Sequence, residues 1–155
     1  MSAVNRRLQV FTNSFPIAEH LLKHSKNTVM LSGGVTYREQ NIILSPFGGV
    51  VASHFYAKRM FIGCQGLGRH GLMEADPMVV QSELALINQA EELIVLADSS
   101  KFSGRSSLIL CGLDRIATVI TDGGIRDEDR AMLEKAGVNL VVTDAGEQGT
   151  IQSVA

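Results

Sequence analysis

Short apolar runs rich in β-branched residues alternate along this chain with segments whose apolar residues recur at helical spacing. That alternation predicts strands separated by helices. Leu93-Ile94-Val95-Leu96-Ala97 is the clearest strand, apolar throughout and suited to burial on both faces. Residues 8–12 form the first strand, and a helix starts at Phe15 after a cap at Asn13 or Ser14, with Pro16 in its first turn, where a missing N–H costs least. Residues 29–32 make a short strand broken by Gly33-Gly34, and residues 42–45 another, ended by Pro46. A crossover helix is expected over 48–57, with Val50, Val51, Phe55 and Ala57 as its apolar positions. Residues 59–63 return to strand and lead into a glycine-rich loop, 63–71. The strongest helical pattern covers 77–92, with Val79, Val80, Leu84, Ile87 and Leu93 along one side. Residues 108–110 and 118–122 read as strands, 127–136 as a helix with Gly137 just past its end, and 139–143 as the last strand. From 145 to 155 there is no periodicity, and that stretch is expected to fray.

Such an order predicts a three-layer α/β/α domain with a mostly parallel sheet and helices on both faces. At 155 residues and 45% hydrophobic content, with no repeat or linker, the chain is expected to be a single domain, core 8–144. A formal charge of −2 provides no general attraction to phosphate backbones or anionic membranes, so nucleic acid is not expected as a direct partner. No stretch reaches the roughly 20 apolar residues of a membrane span, and residues 1–9 lack a signal-peptide core, so a soluble, cytoplasmic domain without membrane contact is expected. Cys64 and Cys111 stand in apolar surroundings with no C-x-x-C motif, and are expected to be buried structural thiols rather than a metal or redox site. No cofactor is implied.

In open α/β sheets ligands bind at the carboxyl ends of strands. Several strand ends here carry polar or glycine-rich segments: Thr12-Asn13-Ser14, Ser32-Gly33-Gly34, Gly63 to Gly71, Asp98-Ser99-Ser100-Lys101 and Thr121-Asp122-Gly123-Gly124. If the strands are parallel, these loops converge on one edge. The Asp98 cluster places an acid, two hydroxyls and an amine within four residues, a set suited to a polyhydroxylated or phosphorylated molecule. Each feature also has a plainer reading. Lys101 is an anion contact or a surface lysine; Asp98 accepts a ligand hydroxyl or anchors its own loop; Asn13 and Ser14 contact ligand or cap a helix. Glu74 and Asp76 are explained by a helix N-terminus alone, His54 and His70 by ordinary packing or exposure, and Met60, Met73 and Met78 as core filler.

The succession Thr12-Asn13-Ser14-x-x-Ile17-Ala18, Leu31-Ser32-Gly33-Gly34, Gly63-Cys64-Gln65-Gly66-Leu67 with Gly71-Leu72, Leu96-Ala97-Asp98-Ser99-Ser100-Lys101-Phe102 and Ile120-Thr121-Asp122 resembles the C-terminal sensor domain of DeoR-type bacterial transcriptional regulators, from Leu8 to about Asp144. The resemblance implies a fold related to ribose-5-phosphate isomerase, glucosamine-6-phosphate deaminase and the coenzyme-A transferases. It also implies a role in binding a sugar-phosphate effector that controls a repressor of a carbohydrate-utilisation operon. Ile43-Leu44-Ser45-Pro46-x-Gly48, and Asp76 with Glu83, are most similar to the branch that represses L-ascorbate utilisation, which makes L-ascorbate 6-phosphate the candidate effector. The implied effector-binding residues are Thr12, Asn13, Ser14, Gly33, Gly34, Gly63, Gln65, Gly66, Asp76, Glu83, Asp98 and Lys101, with no catalytic or metal-binding residue.

The chain departs from the family pattern twice. No winged helix-turn-helix and no strand leading to a G-T-T loop precedes Leu8, so the chain is expected to be a fragment that meets DNA only through the absent part. Glu83 stands where many relatives carry lysine, and a carboxylate there repels a phosphate unless it accepts a hydroxyl. Self-association is expected, because a missing first strand leaves a sheet edge that recruits another chain. Two further functions compete with the sensor. One is a sugar-phosphate isomerase using Asp98 or Glu83 as base and Lys101 as electrostatic stabiliser; the other is an oligomerisation module with a vestigial pocket.

Overall fold

The structure, a computed structural model, describes residues 7–45 and 54–143. Its backbone contacts group these residues into two compact units, the first holding 7–45, 54–56 and 78–89, the second 57–77 and 90–143.

In the first unit, β1 (Gln9–Thr12) and β2 (Thr28–Leu31) run parallel and are joined through α1 (Phe15–His24). Ser14 caps α1, its hydroxyl accepting from the Ile17 amide at 3.5 Å, and Pro16 lies in the first turn as the pattern predicts. Val10, Ala18 and Leu21 are buried between helix and strands. The Gly33-Gly34 break is followed by a strand that the sequence reading omits: β3 (Val35–Tyr37) pairs antiparallel with β4 (Ile42–Leu44). Its turn uses Asn41 at φ 53°, a conformation that asparagine tolerates better than most residues. β4 is tied back to the start of α1, since the Asn13 carbonyl accepts from the Ile43 amide at 2.8 Å. The expected helix over 48–57 falls largely outside the described residues; of its described part, residues 54–56 are not helical and Ala57 opens a strand. α2 (Pro77–Ile87) stops five residues short of the expected helix end at 92. Of its apolar positions, Val79 and Ile87 are buried while Leu84 is exposed, and Ser82 shares the buried side.

The second unit is built on a fully parallel four-stranded sheet in the order β11-β10-β8-β5, formed by β5 (Ala57–Ile62), β8 (Ala90–Leu96), β10 (Ile116–Asp122) and β11 (Asn139–Thr143). β8 begins at Ala90, so Leu93 belongs to the strand rather than to the helix face, and Leu93, Ile94 and Val95 are buried as the apolar run predicts. α3 (Asp127–Lys135) lies against β11 with Leu133 fully buried. The glycine-rich segment expected as a loop is instead a hairpin. β6 (Gly66–Gly68) turns through Arg69-His70 into β7 (Gly71–Glu74), and β7 pairs antiparallel with β9 (Leu108–Cys111) in a separate three-stranded sheet. Leu67 and Leu72 supply the apolar side of that hairpin, both fully buried. Cys64 and Cys111 are half-buried rather than buried, and neither forms a disulfide. The fold is thus α/β with a mostly parallel central sheet. No helix among the described residues is long and apolar enough to cross a membrane.

Candidate functional site

At the carboxyl ends of the two central strands of the second unit lies a cavity of about 380 Å³. Leu96-Ala97-Asp98 line it from β8 and the residue after it, Ile120-Thr121-Asp122 from β10, and Thr143 from β11. Its position follows from the parallel pairing, which brings the ends of β8 and β10 side by side; the ladder is extended by the Ala97 amide donating to the Ile120 carbonyl at 3.1 Å.

Directly after β8 the chain makes a short 3-10 turn, Ser99–Phe102, that carries Lys101. Asp98 caps it. Its Oδ1 accepts from the Ser100 amide at 3.0 Å and from the Ser100 hydroxyl, and its carbonyl accepts from the Lys101 amide at 3.0 Å. Asp122 accepts from the Ser99 amide through Oδ2 at 2.7 Å and from the Gly124 amide through Oδ1 at 2.8 Å. The Ser100 hydroxyl and amide, with Lys101 adding its charge, hold the Asp98 carboxyl below the usual aspartate range. The Ser99 and Gly124 amides do the same for Asp122.

Two consequences follow for binding. The amides of Ser99, Ser100 and Lys101 all have partners within the protein, so the turn offers no nest of unused N–H groups to an anion. An anion would meet the Lys101 ammonium, which no ion pair among the described residues engages. The cavity itself presents two ionised carboxylates, a lining suited to the donor hydroxyls of a polyol. Thr121 adds a buried hydroxyl with no hydrogen-bond partner among the described residues.

The other expected site residues have distinct places. In the second unit Gly63 directly follows β5, on the same carboxyl edge, next in the sheet to β8. Gln65 donates its amide to the Met73 carbonyl at 3.1 Å and is exposed. Gly66 lies within β6, not in an edge loop, and packs on the end of the 3-10 turn: a Cβ there would sit 2.8 Å from the Gly104 carbonyl oxygen. Gly66 therefore supports the Lys101 turn by letting two backbones touch. Asp76 is half-buried just before α2, and Glu74 is buried in β7, its carboxylate accepting from the Ala75 amide at 2.8 Å rather than standing at a solvated helix end.

In the first unit Thr12, Asn13 and Ser14 form one tight turn, the Thr12 hydroxyl accepting from the Ser14 amide at 3.1 Å. The Ser32 amide donates to the Thr12 carbonyl at 3.0 Å, which puts Ser32-Gly33 beside that turn. The plainer reading of Ser14 as a helix cap is the one its geometry shows. Gly34 is required by the backbone: at φ +151° its Cα abuts the Leu44 carbonyl, where a side chain would collide. Glu83 is half-buried on α2.

Thr121 and Asp122, expected among the converging strand ends but not among the effector-binding residues, line the cavity with Asp98, as does Thr143, which the sequence pattern does not single out. The available signal was an acid followed by two glycines at the end of an apolar run, in the same position as Asp98 after β8.

The family model of the DeoR C terminal sensor domain matches residues 2–123. The chain is also 31% identical over 137 residues to proteins named HTH-type transcriptional regulator UlaR from Shigella dysenteriae serotype 1 (strain Sd197), from Escherichia coli O1:K1 / APEC and from Shigella boydii serotype 18. Each alignment covers 86% of this chain and 53% of the relative, so the chain spans about half the length of the curated relatives it matches. The match to the family model runs through both units and contains the Asp98–Lys101 turn and Asp122, and the chain belongs to the DeoR C-terminal sensor domain family.

Proposed function

We propose that this chain is the effector-binding part of a DeoR-type transcriptional repressor, and that its effector is a phosphorylated sugar or sugar acid. The carrying observation is the pairing of a cavity that Asp98 and Asp122 help to line with Lys101 in the turn that follows, whose ammonium joins no ion pair among the described residues, at the carboxyl edge of a parallel sheet. Ligand hydroxyls donate to Asp98, and the phosphate pairs with Lys101. L-ascorbate 6-phosphate is the specific candidate, supported by the likeness of Ile43 to Gly48, and of Asp76 with Glu83, to the L-ascorbate branch. The two units act as one sensor domain, core 8–144, a reading supported by the single family model that spans stretches of both. Operator contact belongs to another part of the regulator, since the relatives carry HTH in their names and extend well beyond the matched region. Sensing rather than isomerisation is supported by the carboxyls themselves. A general base works best with a pKa near the working pH, and Asp98, one of the two candidate bases, is held low by its hydrogen bonds; the relatives, too, are named transcriptional regulators.

Thermal denaturation with a panel of sugar phosphates that includes L-ascorbate 6-phosphate tests the reading. At about 100-fold excess over Kd the linkage is about 2.7 kcal/mol, which for a chain of this size raises Tm by roughly 5–11 °C. Lys101→Ala should weaken the binding about tenfold or more, because an ammonium–phosphate hydrogen bond contributes roughly 1.5–3 kcal/mol. No shift with any member of the panel, or equal affinity in the Lys101→Ala variant, refutes the assignment.

A further inference from the structure

Asp122 belongs to one strand end and grips another. Its two carboxylate oxygens accept from amides in different loops: Oδ1 from Gly124 in its own turn, and Oδ2 from Ser99, 23 residues away, at the first position of the 3-10 turn that carries Lys101. The far end of that turn is anchored separately, by Phe102, which is buried, and by the Gly66–Gly104 backbone contact. Asp98 organises the middle from within. One bond beyond the Ala97–Ile120 ladder contact, the Asp122 grip thus joins the front of the turn itself to the end of β10. Gly124 completes the clasp: a Cβ there would come within 2.8 Å of the Asp122 Oδ1 and closer still to the Ser99 hydroxyl, so these side chains would have to shift to admit it.

We propose that Asp122 is a positioning residue of the effector site, fixing the Ser99–Phe102 turn so that the Lys101 ammonium is held where the effector's anion arrives. The proposal rests on the sensor reading above, and it assigns to Asp122 an action through Lys101. Asparagine at this position keeps one acceptor oxygen and turns an NH₂ toward the second amide, so Asp122→Asn replaces one hydrogen bond by a donor–donor encounter. Gly124→Ala crowds the same clasp while leaving the carboxylate chemically unchanged.

Two measurements test it, with L-ascorbate 6-phosphate and inorganic phosphate as probes. Amide hydrogen exchange by NMR should show the Ser99 and Lys101 amides losing protection in Asp122→Asn and in Gly124→Ala, while Val95 and Val119 in the buried strands keep theirs. In a double-mutant cycle, Asp122→Asn should weaken binding about tenfold when Lys101 is present, the loss expected for one hydrogen bond to a charged group, and less than about twofold in the Lys101→Ala background. Unchanged Ser99 exchange in both variants, or losses that add fully with that of Lys101→Ala, overturns the proposal. If neither probe binds the parent protein, the sensor reading is what fails, and the exchange data alone then decide whether Asp122 holds the turn.

Discussion

Gly66→Ala separates a glycine kept for a ligand from one kept for packing. The new Cβ would lie 2.8 Å from the Gly104 carbonyl oxygen and 3.2 Å from its carbon, closer than real Cβ atoms approach backbone, and neither neighbour is a side chain that can swing away. Gly66 has no positive φ, so the whole penalty is steric. Overpacking of this kind costs about 1–3 kcal/mol, against which the stiffer unfolded chain returns about 0.4–1 kcal/mol. A net loss of about 1–2 kcal/mol is expected, a fall in Tm of roughly 2–8 °C. Gly33→Ala is the control: nothing lies within 4 Å of its Cβ and its φ is ordinary, so it should be neutral or slightly stabilising. Urea denaturation monitored by circular dichroism measures both, and the slope m should not change. A Gly66→Ala protein as stable as the parent refutes the packing account. So does a loss of the same size in Gly33→Ala.

Leu133→Ala should cost about 2–5 kcal/mol in the same assay, since Leu133 is fully buried between α3 and the sheet; a loss under 1 kcal/mol would mean that the site collapses around the cavity. Asp98 and Asp122 both have folded-state pKa values below their unfolded ones, so their stabilisation is present above about pH 4 and is lost as pH falls through the lowered values. Protection of the Ser99 amide should therefore fade in acid below that point, and protection that persists after full protonation contradicts the assignment. The sheet ends in β5 and β11, which expose Phe61 and Val141 and pair with no further strand among the described residues. Light scattering at tens of micromolar should report at least a dimer, and a monomer refutes edge-mediated association.

The elements legible in the sequence are those whose burial dictates their pattern. The Leu93-Ile94-Val95 run of β8 is apolar because it is buried, and α1 announces itself through Ser14 and Pro16. The hairpin of β6 and β7 was hidden by its glycines. Gly66, Gly68 and Gly71 read as a loop, whereas Leu67 and Leu72, placed symmetrically about Arg69-His70, were the better guide to a two-residue turn. The end of α2 was misplaced because Ala90, Glu91 and Glu92 suit a helix locally. Pairing of Ala57 with Ala90 and of Arg59 with Glu92 puts them in a strand, and that choice is made 33 residues away. At the candidate site, Asp98 and Lys101 were visible because a polar cluster ends an apolar run. The grip of Asp122 on Ser99 was not, since no local spacing encodes a hydrogen bond across 23 residues.

The amides of Ser99, Ser100 and Lys101 are engaged before any ligand arrives, so binding gains no new backbone bond at these three positions. Sensors that signal by folding a loose loop draw on conformational entropy, and three amides already bonded leave this turn less of it to give. Whatever message a bound effector sends must therefore leave through charge and displaced water at the cavity, or through segments other than Ser99–Phe102. Held by Asp98 and Asp122, this turn is the reference against which such a movement would be measured.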